Sequence, residues 1–130
     1  GKLSDKADEA YNQMKKAEKT IDTACCYLTD LEKTAARYYK LLKTVKDKYY
    51  ESFNYVSYVV NKINKTDWNE FTKQEKVATQ NTVLLVGLLY KMCQVSLVNK
   101  ADSDSEMNTI NKTAVDDSIK NAEQVLEQVA

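Results

Sequence analysis

"NTVLLVGLLYKMCQVSLV", Asn81 to Val98, is the least polar stretch of the chain, and its reading decides the fold. It could be a membrane span, a strand or the middle of a helix. The unbroken apolar run from Val83 to Tyr90 covers eight residues before Lys91 closes it. A membrane-spanning helix needs about twenty such residues, so the run is too short to cross a bilayer. It is not a strand either, because Val83, Leu84, Leu85, Val86, Leu88, Leu89 and Tyr90 do not alternate with polar residues. A polar lead-in of helical length precedes them, and within it "FTKQEK" places Thr72 and Glu75 at the spacing of a capping box. The stretch therefore reads as a helix from about 72 to 94. Its apolar residues occupy every side, and such a helix must be surrounded by others. Gly87 reads as the place where a neighbouring helix crosses closely.

Upstream, apolar residues recur at steps of four and three from Leu3 through Ala7, Ala10, Met14, Ala17, Ile21, Ala24, Leu28, Leu31, Ala35, Tyr38, Leu42, Val45 and Tyr49. After Ser52 the pattern resumes at Val56, Val59 and Ile63. A repeat of seven held this long is the signature of helices that wrap around a partner. The chain has no Pro, and of its two Gly one is Gly1, so nothing punctuates the run. A single helix from 3 to 64 would be about 90 Å long at 1.5 Å per residue. A rod of that length either bends back or projects to meet another chain. Thr29 and Glu32 match a second, weaker capping box, the one place where the helix could restart. The absence of breakers favours continuity. The early seam is small, with Ala7, Ala10, Ala17 and Ala24, whereas six of the nine tyrosines fall between Tyr38 and Tyr58. Tyr suits positions that are half core and half rim.

"NKINKTDWNEFTKQEK" reads as the connection to the second helix, with Trp68 and Phe71 as apolar anchors. "NKADSDSEMN" is a polar, acidic loop without the glycine and terminal glutamate of a calcium-binding hand. A last helix, 112–129, carries Val115, Ile119, Ala122, Leu126 and Val129 on one face. The expected fold is all-α, one domain over 1–130: a helical bundle with one long heptad-patterned helix and two shorter helices packed on it.

The chain has 130 residues, 43% apolar and 29% charged, which fits a folded helical protein rather than a disordered one. Gly1 reads as the start of an excised segment. There is no His, which removes the commonest general base and metal ligand together with every His-containing triad. The cysteines, Cys25, Cys26 and Cys93, have neither zinc-site spacing nor an even count, and they read as small buried hydrophobes in a reducing compartment. No phosphate loop, dinucleotide fingerprint or nucleophile elbow is present. No catalytic, cofactor-binding or metal-ligating set emerges, and the expectation is a non-enzyme without cofactors.

Two groups of side chains offer binding surfaces. Lys33, Arg37, Lys40, Lys43, Lys46 and Lys48 face one acid, Asp47, across their stretch, and could contact an anionic surface. At 100° per residue they spread over more than half the helix circumference, unlike the concentrated face of a nucleic-acid reader. Tyr49, Tyr55, Trp68 and Tyr90 could line an aromatic pocket, and a ligand- or signal-sensing domain is the alternative reading. Residues 1–64 hold 12 basic and 9 acidic side chains, and residues 101–130 hold 2 and 7, which reads as complementary packing between the two ends.

The succession "KADEAYNQMKKAEKTI", "YYKLL", "DWNEFTKQEK" and "NTVLLVGLLYKMCQVSLV" resembles the helical part of uncharacterised bacterial proteins in which a glycine-zipper membrane segment comes first. The similarity runs to about Val98 and lies in apolar, Ala and Lys/Glu positions. It implies a bacterial domain in the cytoplasm at the inner face of the membrane, tethered by a segment that this chain lacks. It carries no activity to any residue. The expected role is an interaction or scaffold domain that forms a dimer through the heptad seam and has a further, unidentified protein partner.

Overall fold

The structure is a computed structural model that describes residues 2–130, with side chains from Ser4 onward; Gly1 and the side chain of Leu3, the first apolar position of the repeat, lie outside the described residues. Among the described residues there are three α-helices: α1 (Lys2–Asn61), α2 (Lys73–Cys93) and α3 (Lys112–Val129). Two very short strands, β1 (Val98–Asn99) and β2 (Thr109–Ile110), pair antiparallel between α2 and α3, with Val98 opposite Ile110. The architecture is the all-α arrangement expected, one long helix packed by two shorter ones.

α1 is continuous through Thr29. The Thr29 hydroxyl donates to the Cys25 carbonyl at 2.9 Å, one turn back, instead of capping a new helix. What ends α1 is a residue other than Gly or Pro. Asn64 takes a left-handed backbone conformation (φ 61°), and the Lys65 N–H reaches back to the Val59 carbonyl at 3.1 Å. The Ile63 N–H bonds to the Tyr58 carbonyl at 3.1 Å, five residues back, so the last turn widens before Asn64 takes the left-handed place where Gly is commoner. A turn of 3₁₀ helix, Trp68–Glu70, capped by Asp67, then leads into α2.

The capping box at the start of α2 is complete. The Glu75 N–H donates to the Thr72 hydroxyl at 3.1 Å, and the Thr72 N–H donates to the Glu75 carboxylate at 2.8 Å. The same carboxylate oxygen accepts from Lys65 Nζ at 2.8 Å. Glu75 is buried, so this one side chain ties the connecting segment to the helix that follows. The Lys65 ammonium and the Thr72 N–H hold its carboxyl below the usual carboxylate range.

α2 runs antiparallel to α1, because Glu75 meets the segment just beyond α1 while the far end, at Met92, reaches Tyr38. α3 returns parallel to α1, from Asp116 near Arg37 to Val129 beside Tyr55. The core gathers Tyr38 and Val45 from α1, Leu85, Leu88 and Met92 from α2, and Val115, Ile119, Ala122 and Val129 from α3. Tyr38 joins all three helices. Its hydroxyl donates to the Met92 carbonyl at 2.8 Å and shares a 2.9 Å hydrogen bond with the Ser118 hydroxyl. Burial pushes its pKa up, with the Ser118 bond acting the other way.

The enclosure of α2 is partial, which corrects the expectation from its composition. Leu85 and Leu88 are buried and Leu84 and Leu89 half-buried, but Val83 is 66% and Tyr90 68% exposed. With only α1 and α3 as neighbours, the side of α2 about half a turn from Leu85 stays uncovered. Gly87 lies on that side. A Cβ built there would meet nothing within 4 Å, so Gly87 marks an open surface and no helix crosses it.

Two measurements follow from this packing. Leu85→Ala should cost about 2–5 kcal/mol in urea denaturation, and Val83→Ala within about 0.5 kcal/mol, since only the first empties a filled site. Equal losses would mean that the outer side of α2 is covered as well. Because the Glu75 carboxyl is held low in the folded state, its contribution is present above the ordinary carboxylate range and is lost as pH falls through the folded value. The melting temperature should therefore fall more steeply between about pH 5 and pH 3 in the native protein than in Glu75→Gln.

Candidate interaction surface

Every described side chain from Ser4 to Thr23 is exposed, and only from Ala24 onward does the rest of the chain begin to cover α1. Those twenty residues form an arm about 30 Å long. Nothing in the arm breaks a helix, and the hydroxyls of Thr20 and Thr23 satisfy carbonyls one turn back, those of Lys16 and Lys19. Beyond the arm, the strand pair and its loop lie against Thr23, Tyr27 and Asp30, with Met107 and Ile110 across a cavity of about 340 Å³.

The heptad stripe thus has two fates. Tyr38, Leu42, Val45 and Tyr49 belong to the core or pack on it, and Val59 is buried. Met14 and Ile21, at equivalent positions of the repeat, are 64% and 59% exposed, and Leu28 and Tyr11 are exposed too. Along with Ala7, Ala10 and Ala17 they make a narrow apolar line on one side of the arm.

The basic residues anticipated as an anionic-surface contact lie beside the bundle. Lys33, Arg37, Lys40, Lys43 and Lys46 are exposed and Lys48 is half-buried. α3 supplies part of their counter-charge: Arg37 meets Asp116 at 3.5 Å, and a cleft of about 180 Å³ holds Arg37 and Lys40 near Glu123. Lys48 pairs with Glu51 within α1 at 3.7 Å. The pairing of the basic first half with the acidic end of the chain is seen at Arg37–Asp116. These contacts are exposed and worth little energetically.

The four aromatics named as a pocket do not converge. Tyr49 packs on the core and stacks with Phe53 at 5.7 Å between ring centroids. Tyr55 borders a cleft of about 370 Å³ shared with Lys48, Gln74 and Val129. Trp68 lies by Phe71 at 5.5 Å and under Lys76 Nζ at 5.5 Å, on the loop. Tyr90 points outward on the open side of α2. The cysteines also depart from expectation. Cys25, Cys26 and Cys93 are all exposed. Cys25 and Cys26 fall where α1 is barely covered, and Cys93 ends α2.

Among the described residues no three Cys, Asp or Glu side chains gather as a metal site requires, and Asp102, Asp104 and Glu106 form no such group. No described helix is long and apolar enough to cross a membrane. Apolar surface is also open on α2. There Val83, Leu84 and Gly87 border a groove of about 450 Å³ that Val125 closes from α3. No family model, curated protein or solved structure matches the chain.

The exposure of the thiols gives a direct check. All three should react with a thiol reagent in the native protein at similar rates, without denaturant. A thiol released only on unfolding would show that a surface now open is covered in solution.

Proposed function

We propose that the protein is a non-catalytic helical interaction domain that associates with itself through the apolar line of its arm. One observation carries this reading. A heptad stripe that is filled by α2 and α3 along the later part of α1 continues in register along the arm, where no other described element lies upon it. Burial of a Met or Ile side chain contributes about 1.5–3 kcal/mol, so Met14, Ile21 and Leu28, held in a row on a preformed helix, favour a partner. The helix also needs no separate nucleation, because the packed half has already supplied it. The small side chains of Ala7, Ala10 and Ala17 let a second backbone come close.

On this reading the bundle is the rigid base and the arm is the part that binds. The similarity to proteins with a glycine-zipper segment supports a place beside a membrane, the domain being held there by a segment outside this chain. The ligand-sensing alternative has no comparable support, since its four aromatics stand apart on three different parts of the fold. The basic side of α1, partly met by α3, supports no separate role.

Sedimentation velocity across a dilution series tests the proposal. The protein should move from dimer to monomer as concentration falls through the micromolar range, whereas Met14→Glu with Ile21→Glu should be monomeric throughout with an unchanged melting temperature. A native protein that stays monomeric at the highest concentration would overturn it.

A further inference from the structure

The line of exposed apolar side chains on the arm does not stop where the bundle begins. Among the large apolar residues that α1 leaves exposed, Met14, Ile21, Leu28, Tyr39, Tyr50 and Phe53 follow one another at steps of 7, 7, 11, 11 and 3. A step of 7 turns an α-helix back by about 20° and a step of 11 turns it forward by about 20°, so the six keep within a sector of about 60°. They run for about 60 Å along one side of the helix. Tyr11 and Tyr58 lie outside the sector. Between Ala10 and Phe53 it otherwise holds Ala10, Ala17 and Ala35, with Glu32 and Lys46 as its charged members.

The rest of the bundle lies elsewhere. α3 meets α1 at Leu41, Thr44 and Tyr55, about half a turn round the helix from this sector. The loop between the strands touches Thr23, Tyr27 and Asp30, which also fall outside it. α2 shares the open side in part. Its Leu84 and Leu88 border the groove that Val125 closes from α3, so Val86 and Leu89, on the other flank of Leu85, turn toward the open side. Both are only half-buried, as are Leu42 and Tyr49 of α1 at the edge of the sector. α1 and α2 thus form a layer with α3 on one side and an uncovered apolar groove on the other. A four-helix bundle has its fourth helix there.

We infer that this groove receives α1 of a second copy, so that the contact runs from the arm along the α1–α2 layer instead of ending with the arm. The inference rests on the self-association proposed above and names the part of the bundle that the partner covers. Its first support is extent. A contact confined to two arms, about 30 Å long and about 10 Å wide, covers roughly 600 Å² over both copies, short of the roughly 1,000 Å² of a stable interface. Following the sector to Phe53 doubles that length and adds Val86 and Leu89. The second support is continuity. Because α1 is one unbroken helix, a helix laid on Met14, Ile21 and Leu28 is already directed along Tyr39 and Tyr50. Composition agrees, since the exposed members within the bundle are Tyr39, Tyr50 and Phe53, and aromatic residues are enriched where proteins meet. The aliphatic stem of Lys46 can lie along the face with its ammonium at the rim. The same contact explains the flank of α2 that is apolar without a neighbour in its own chain.

Thiol protection gives the test. With Cys25, Cys26 and Cys93 changed to Ser, the single variants Tyr39→Cys and Tyr50→Cys are compared with Gln124→Cys, an exposed position of α3. In a concentrated, dimeric sample the thiols at positions 39 and 50 should react about tenfold more slowly than in a dilute one, in step with the fraction of free monomer. The thiol at position 124 should react at one rate in both. Separately, Tyr39→Glu with Tyr50→Glu should raise the dimer dissociation constant about tenfold or more. These two side chains are 65% and 51% exposed, and an unchanged circular dichroism melt verifies that the fold is intact. A dimer in sedimentation whose thiols at 39 and 50 keep one rate, or that ignores the paired glutamate substitutions, confines the contact to the arm. That result overturns the inference and leaves self-association standing. A protein that is monomeric at every concentration overturns both.

Discussion

The fold is governed by a mismatch of lengths. α1 extends about 90 Å, and the helices available to cover it, of 21 and 18 residues, extend about 31 and 27 Å. Both lie side by side against the same half of α1, because Glu75 fixes the start of α2 just beyond the end of α1 and Tyr38 fixes its finish. A sequence that keeps an apolar seam along the whole rod, and covers it only from Ala24 onward, leaves about the first third bare.

The covered half is held by a few groups with several partners each. Tyr38 is the clearest, a buried ring whose hydroxyl bonds to both α2 and α3. Glu75 does the same at the opposite end, accepting from its own cap and from Lys65. Between them Val45, Leu85, Leu88 and Ile119 fill the interior. This places the polar fixed points at the two ends of the core, where they set register, and leaves the middle apolar, where burial contributes most. The strand pair and its loop end the bundle near Thr23 and Tyr27, and with it the coverage of α1.

Much of the fold was legible in the sequence. The heptad spacing gave α1, the Thr72–Glu75 box gave the start of α2, and the apolar positions of α3 gave its inner face. Periodicity reports which side of a helix is apolar, however, and carries no information about whether a neighbour is present in the same chain. Leu28 and Leu42 occupy equivalent positions of one repeat, yet only Leu42 packs on the core. For the same reason α2, apolar on all sides, looked enclosed, although two neighbours can shield only part of its circumference. Gly87 was legible as unusual, but a missing side chain is compatible with both a crossing helix and open space. The stop at Asn64 was readable only as a polar connection, because left-handed Asn is a backbone choice that its surroundings fix. The candidate pocket failed on distance along the fold, since its aromatics come from segments that the antiparallel pairing of α1 and α2 keeps apart.

The central claim is that one continuous helix has a long part stabilised within the chain and an arm proposed to pair with a second copy. Hydrogen exchange followed residue by residue at two protein concentrations addresses it most directly. Amides from Tyr38 to Asn61 should be strongly protected at both, while those from Ser4 to Thr23 should exchange rapidly when dilute and slow when concentrated. Arm amides that exchange at one rate regardless of concentration, or that are as protected as the core in the dilute sample, would contradict it.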